Sequence, residues 1–350
     1  MFDSGIGKRK LMSVFLGAVA LLPMPIVMAQ SQATPIEPNS SFRPGEIWND
    51  TSGTAINAHG GGFLYRKGTY YWFGEFKTAG AAGNVANVGV SCYSSKDLYN
   101  WKNEGIALKV SQDPSSDIVA GSIIERPKVL YNAKTKTYVM WFHLELKGHG
   151  YSAARVGVAV SKKPTGPYRF LRSFRPDGEM SRDMTLFADD DGKAYLITTS
   201  ENNQTQHLSQ LTPDYLNTTG HFTRIFEHKA LEGAALFKWN GRYYYIGSHT
   251  TGWAPNPAFA AVSDSLEGPW KELGNPCRGE NAALTFGAQS TYFLPVAGKP
   301  GAFIFIADQW QPKNAIDGRY VWLPVDINGD DFTITWRPVW TLDYFSRVSK

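Results

Sequence analysis

The sequence reads as an all-β chain folded into a five-bladed β-propeller. Three observations lead there. One hairpin pattern returns five times, each copy is followed by a third and a fourth strand, and no segment sustains a 3.6-residue hydrophobic period. Aromatic residues make up 14% of the chain beside 34 Gly and 20 Pro, a mixture that favours strands and tight turns over helical bundles.

The hairpins are FLYRKGTYYWF (63–73), KVLYNAKTKTYVMWF (128–142), TLFADDDGKAYLITT (185–199), ALFKWNGRYYYIGS (235–248) and TYFLPVAGKPGAFIFIA (291–307). Each joins two apolar runs through a short turn rich in Gly, Asn or Asp, which two antiparallel strands require. The aromatic after the turn falls at Tyr71, Tyr138, Tyr195, Tyr244 and Phe303, giving spacings of 67, 57, 49 and 59 residues. Third strands are expected at 87–95, 155–163, 206–211, 258–265 and 319–326. Fourth strands are expected to close near Trp101, Phe170, Phe226, Trp270 and Trp336. Four strands in each of five units make a closed propeller in one domain from about 45 to 350. A sandwich with elaborate loops is the alternative.

Ahead of the repeats, KRK at 8–10 precedes an apolar run at 11–27 and the small-residue site Val27-Met28-Ala29. That pattern predicts a signal peptide over 1–29, cleaved near Ala29, and a secreted or periplasmic protein. A retained anchor is the alternative. Residues 30–44 read as a polar, Pro-rich leader. The net charge is +4, and no basic stripe is present, so neither nucleic acid nor, after cleavage, a membrane is expected as partner. A monomer is expected. Cys92 and Cys277 are the two cysteines, and their pairing stays open.

In a propeller the first strand of each blade lines the central channel, so polar residues at its start converge on one pocket. Counting back 12 to 14 positions from each aromatic marker gives Asn57, Glu125, Asp183, Glu232 and Gln289. All five are carboxylates or carboxamides. Three carboxylates in one cavity repel, which raises at least one pKa and leaves an acid able to protonate a leaving oxygen. Glycoside hydrolysis asks for that arrangement. The alternative is that these residues pair strand ends or cap turns.

The strings that carry these residues are INAHGGG (56–62), IERPKV (124–129), SRDMTLF (181–187), LEGAALF (231–237) and GAQSTYF (287–293). Together with YYWFGE (71–75, from its second Tyr), SENN (200–203), TTGW (250–253) and RYVWLP (319–324), they resemble glycoside hydrolase family 43, and within it the exo-β-1,3-galactanase subgroup. The resemblance covers about 50 to 340 and implies an inverting hydrolase of β-galactan poly- or oligosaccharides. The seven His show no metal-ligand spacing and no phosphate loop occurs, so no cofactor or metal is expected at the site, and a structural ion stays open. The resemblance implies Glu232 as general acid and Asp183 as the residue that orients it. The blade-one base of most relatives is replaced here by Asn57, and Gln289 is implied as the residue holding the water. Glu125, a group that titrates, is the competing base. Leu231 and Gly233 flank Glu232 where relatives often carry Arg-Glu-Ala-Pro.

The further expected sugar contacts are Glu75, Tyr151, Asn202, Asn203 and Thr250, with Trp253 and Trp310 offering flat ring faces. A strand-end ion pair is the alternative for Glu75, and core packing for the two Trp. Arg126 directly follows Glu125 and Arg182 directly precedes Asp183, and both are expected to alternate away from the pocket as structural residues. His59 is expected to be a structural histidine, with a place on the pocket wall as the alternative. ADDDGKAY (188–195) lacks the Glu of a calcium loop and is expected to be a turn. Other readings of the chain are a family-43 α-L-arabinofuranosidase or β-xylosidase, and a non-catalytic sugar-binding propeller.

Overall fold

The computed structural model describes Lys10 and residues 37–348. The signal peptide expected over 1–29, Lys10 apart, and the first part of the leader lie outside the described residues.

Blade one is built from β1 (His59–Arg66), β2 (Thr69–Lys77), β3 (Asn87–Ser95) and β4 (Lys102–Lys109). Blade two holds β5 (Ile123–Asn132), β6 (Thr137–Glu145), β7 (Arg155–Ser161) and β8 (Arg169–Phe174). Blade three holds β9 (Met184–Ala188), β10 (Ala194–Ser200), β11 (Thr205–Leu211) and β12 (Thr218–Ile225). Blade four holds β13 (Leu231–Trp239), β14 (Arg242–His249), β15 (Phe259–Ser263) and β16 (Lys271–Gly274). Blade five comprises β17 (Cys277–Arg278), β18 (Gln289–Pro295), β19 (Phe303–Gln309), β20 (Arg319–Asn328) and β21 (Asp331–Thr335). Each sheet is an antiparallel meander in chain order. The short β17 adds itself in parallel to β21, a strand the repeat pattern did not predict. The fourth strands of blades one and four begin just after Trp101 and Trp270 instead of ending there.

The turns explain the hairpins. Arg66 pairs with Thr69 and Trp239 with Arg242, leaving two-residue loops. Lys67-Gly68 and Asn240-Gly241 take positive φ at both positions, the mirror-image turn that matches strand twist. The first strands contact one another around the ring, β1 to β5, β9, β13, β18 and back to β1. The core therefore lies between blades, not within one layer. Phe73, Val90, Ile124, Met140 and Phe142 fill the space between blades one and two. Trp72, Trp101, Phe237, Phe293 and Trp322 belong to the largest layer, which joins blades four, five and one. Burying such side chains supplies about 1.5–3 kcal/mol each.

Four of the five first strands share one irregularity, β9 being the exception. Their pairing slips between His59 and Gly62, Glu125 and Lys128, Glu232 and Ala235, and Ser290 and Tyr292. These are β-bulges, which re-aim a side chain and bend the strand. Among the described residues the helices are one α-helical turn, α1 (Tyr344–Val348), and three 3₁₀ turns. Cys92 and Cys277 are both free and buried, so the pairing left open does not form here. No described helix is long and apolar enough to cross a membrane.

Candidate active site

A cavity of about 740 Å³ opens where the first strands begin, and Glu125, Asp183, Glu232 and Gln289 all line it. Glu75, Tyr151, Asn203, Thr250, Trp253 and Trp310 line it too. Four blades thus deliver a first-strand residue to one space, while blade one delivers Glu75 from its second strand.

Asn57 and Asn202 are placed elsewhere. The Asn57 carboxamide closes on the backbone of Lys77, donating to its carbonyl at 2.7 Å and accepting from its N–H at 3.1 Å. It pins the end of β2 and lies off the cavity. The bulge pattern shows why the count failed. In blade one the residue before the bulge is His59, 12 positions before Tyr71, as Asp183 and Glu232 stand before their own markers. His59 is fully buried, off the cavity, stacked on Tyr320 with ring centroids 5.5 Å apart. Asn202 sits in a run of three left-handed residues, Glu201 to Asn203. That turn leaves Asn202 exposed and brings Asn203 to the cavity, where it accepts from Arg182 Nη1 at 2.8 Å.

Arg126 corrects the expectation of a structural arginine pointing away. It takes φ +55° inside the β5 bulge, so strand alternation is broken and its guanidinium enters the cavity. Its Nη2 meets Asp183 Oδ2 at 2.9 Å and donates to Gln289 Oε1. Arg182 also reaches the cavity wall, where it donates to the Tyr151 carbonyl at 2.8 Å.

Glu232 lies among these groups. Gln289 Nε2 donates to Glu232 Oε1 at 2.9 Å and to Ser248 Oγ at 2.9 Å. Trp310 Nε1 donates to Gln289 Oε1 at 2.9 Å, so the whole carboxamide is fixed. Asp183 Oδ2 accepts the Gly233 N–H at 2.9 Å, which anchors it beside the Glu232 strand. Burial, and then the neighbouring Asp183 charge, push the Glu232 carboxyl up to about 8 against the pull of Arg126. Burial works against the Arg126 charge, and Asp183, Glu75, Glu125 and Asp308 more than restore it.

Glu125 is the opposite case. Burial opposes its charge, but His143, Lys77 and Tyr151 outweigh burial and bring it down to about 2. His143 Nδ1 lies 2.8 Å from Glu125 Oε2, and Tyr151 donates its hydroxyl to Oε1 at 2.9 Å. Glu75 is held by Lys77 Nζ at 3.0 Å and by the Arg126 N–H at 3.1 Å, so the strand-end ion pair and the cavity position are both real. Trp253 and Trp310 meet edge to face at 6.0 Å on the rim, and Trp253 is 41% exposed. The two rings present apolar faces at the cavity.

Glu125, His143 and Asp183 bring one donor atom each within 4.8 Å of one another. Both His143 nitrogens are engaged by carboxylates, which leaves no imidazole lone pair for a metal. His143 was missed in the sequence. A forward count finds it: Glu75, His143, Thr199, Ser248 and Asp308 stand four or five positions after the aromatic markers. Each lies across the strand pair from the innermost residue of its blade.

Comparison with known proteins agrees with this architecture. Residues 59–277 match the sequence model of glycosyl hydrolases family 43. A β-D-galactofuranosidase of Aspergillus niger is 28% identical over 217 residues, which is 58% of this chain and 61% of that protein. Among solved structures, a family-43 β-1,3-galactosidase crystallised with galactodeoxynojirimycin superposes with a TM-score of 0.83 at 47% identity, over 86% of this chain and 100% of that one. An exo-β-1,3-galactanase from Phanerochaete chrysosporium, crystallised with β-1,3-galactotriose, gives 0.79 at 37% identity over 87% of this chain and 68% of that one. Another from Clostridium thermocellum gives 0.78 at 36% identity, over 85% and 66%. A five-bladed propeller with four carboxylates around one cavity, matched over most of its length by these relatives, belongs to glycosyl hydrolases family 43.

Proposed function

We propose that this chain is an inverting exo-β-1,3-galactanase, releasing galactose from the ends of β-1,3-galactan. The observation that carries the reading is the Glu232 carboxyl, pushed up to about 8 inside a cavity that also holds an ionised carboxylate and a fixed amide. A carboxyl that keeps its proton at neutral pH donates it to a glycosidic oxygen. Asp183, tied to Arg126 and to the Gly233 N–H, orients this acid and raises its proton affinity. The galactose-type ligands of the solved relatives support the sugar assignment.

Glu125 serves as acceptor for a sugar hydroxyl, and Gln289, whose four hydrogen-bonding positions are taken by Arg126, Trp310, Glu232 and Ser248, places the water once one of these partners yields to the substrate. A carboxylate held at about 2 is a weak base, which favours this division over Glu125 as the base. Tyr151, Asn203 and Thr250 supply further polar contacts, and Trp253 and Trp310 face the sugar rings. The basic and apolar stretch over 8–27 supports export, with arabinogalactan as the natural polymer.

The test is galactose release from β-1,3-galactan. Glu232→Gln is expected to cut kcat by about 10³-fold or more while the variant still binds β-1,3-galactobiose. Wild-type turnover in that variant removes the assignment. Proton NMR of the first product is expected to show the α anomer, because inversion at a β linkage gives it.

A further inference from the structure

A hydrogen-bonded chain runs from blade one through the cavity wall into the interior of blade two. At the rim, Lys77 Nζ donates to Asn84 Oδ1 at 2.9 Å, and Asn84 Nδ2 donates to the Tyr151 hydroxyl at 2.6 Å. Tyr151 passes its proton toward Glu125 Oε1 at 2.9 Å. On the far side, Glu125 Oε2 meets His143 Nδ1 at 2.8 Å, and His143 Nε2 meets Glu145 Oε1 at 2.9 Å. The chain ends where Glu145 Oε2 accepts the Ala154 N–H at 2.9 Å.

His143 and Glu145 are buried, His143 in the cavity wall and Glu145 behind it, and neither has a part in the reaction described above. Two buried carboxylates on one imidazole are costly to build unless the ring carries both protons. Strand geometry produces the arrangement. His143 pairs directly across from Glu125, and Glu145 follows two residues on, on the same face of β6.

We infer that His143 and Glu145, with Asn84 acting from the opposite side through Tyr151, are positioning residues that fix the Glu125 carboxylate as acceptor for a substrate hydroxyl. The inference rests on the galactanase reading for the identity of the sugar. A carboxylate gripped at both oxygens keeps one orientation and offers its remaining lone pairs to the cavity. The groups facing His143 are Glu125, Glu145, the Tyr151 ring at 5.8 Å and the Asp183 carboxylate within 4.8 Å. Glu125 and Glu145 outweigh burial and bring the ring up to about 9, in line with a doubly protonated link.

A double-mutant cycle on β-1,3-galactobiose tests this. Glu145→Gln is expected to raise KM about tenfold with kcat changed less than about threefold. Placed in a Glu125→Gln background, the same change is expected to cost less than about twofold, because it acts only through Glu125. The KM of the wild type is expected to rise above about pH 9, and that rise is expected at lower pH in Glu145→Gln. Equal penalties in both backgrounds, or an unmoved pH profile, overturn the inference. Asn84→Ala, on the rim, carries the same cycle if Glu145→Gln does not fold. Should the wild type release no galactose, the galactanase reading falls. Nitrogen-15 NMR of the imidazoles then decides the positioning chain by itself: an ordinary His143 midpoint near ~6.5 overturns it.

Discussion

Proton donation at neutral pH needs a carboxyl that has not already lost its proton, and Glu232 meets that need through burial and the nearby Asp183 charge. The kcat/KM of galactan hydrolysis is therefore expected to fall as pH rises through about 8, where this group ionises. A plateau extending past pH 10 contradicts the assignment. Stability follows the same group. Below about 4.5 Glu232 is protonated in folded and unfolded chains alike, and between there and about 8 only the unfolded chain ionises, so stability drains away as pH rises. Glu232→Gln is expected to match the wild type in thermal melts at pH 4 and to exceed it at pH 9, by up to about 5 kcal/mol. Arg126 makes the second residue-scale case. Its fork contacts Asp183, Gln289 and the Ser290 carbonyl together, a geometry that a lysine ammonium does not reproduce. Arg126→Lys is expected to lower kcat about 10²-fold with the fold intact by circular dichroism. Near-normal kcat in that variant means that the charge alone suffices.

The strand that carries an active residue also sets its aim, and here the setting device is the bulge. Gly233 follows Glu232 at φ +63°, and a Cβ there would stand 2.8 Å from the Ser290 carbonyl oxygen. Its N–H is the donor that holds Asp183. Gly233→Ala is expected to destabilise the protein by about 1–3 kcal/mol and to reduce kcat more than it raises KM, as measured by urea unfolding and steady-state kinetics. Unchanged stability means that the bulge relaxes at little cost. The same devices mark what the sequence made legible. Hairpins were readable because two-residue turns and alternating side chains are local signals, and Glu125, Asp183, Glu232 and Gln289 were readable because hairpins have similar lengths. Arg126 was not readable, since alternation by twos assumes an unbroken ladder and the bulge is fixed by the neighbouring blade. Asn57 was misplaced for the related reason that blade one spends two extra residues between its polar start and the strand. The His143 and Glu145 pair was hidden in an ordinary apolar strand, TYVMWFHLE, whose polar members show their purpose only when paired with β5.

A ring of blades is only as strong as the seam where its two ends meet, and in this molecule the seam joins blades five and one. Direct contacts cross it in several places: Thr291 Oγ1 donates to the Gly61 carbonyl at 3.0 Å, the Tyr292 hydroxyl to the Phe63 carbonyl at 3.2 Å, the Ala297 N–H to the Tyr70 hydroxyl at 2.7 Å and the Gly60 N–H to Asp308 Oδ2 at 3.2 Å. The chain ahead of blade one reinforces the joint by lying on blade five. Phe42 exchanges backbone hydrogen bonds with Trp340 at 2.8 and 3.2 Å, and the Gly45 N–H reaches the Tyr320 carbonyl at 2.9 Å. The Tyr320 hydroxyl then accepts from the Ala58 N–H and donates to the Ile56 carbonyl, both at 2.9 Å. The Phe42 ring is buried at 4.3 Å from Trp340 and 5.9 Å from Trp48 and Trp322, which makes it the apolar pin of the closure. No residue between 37 and 58 lines the catalytic cavity, so closure and chemistry are separable. Phe42→Ala is expected to lower unfolding free energy by about 3–5 kcal/mol, the range for a large buried aromatic replaced by a methyl group. Measured by urea denaturation, the loss is expected with KM and kcat on β-1,3-galactan within about twofold of wild type at 25 °C. A loss below about 1 kcal/mol would mean that the first strands hold the ring shut unaided. A fall in kcat without a fall in stability would mean that the seam shapes the cavity directly.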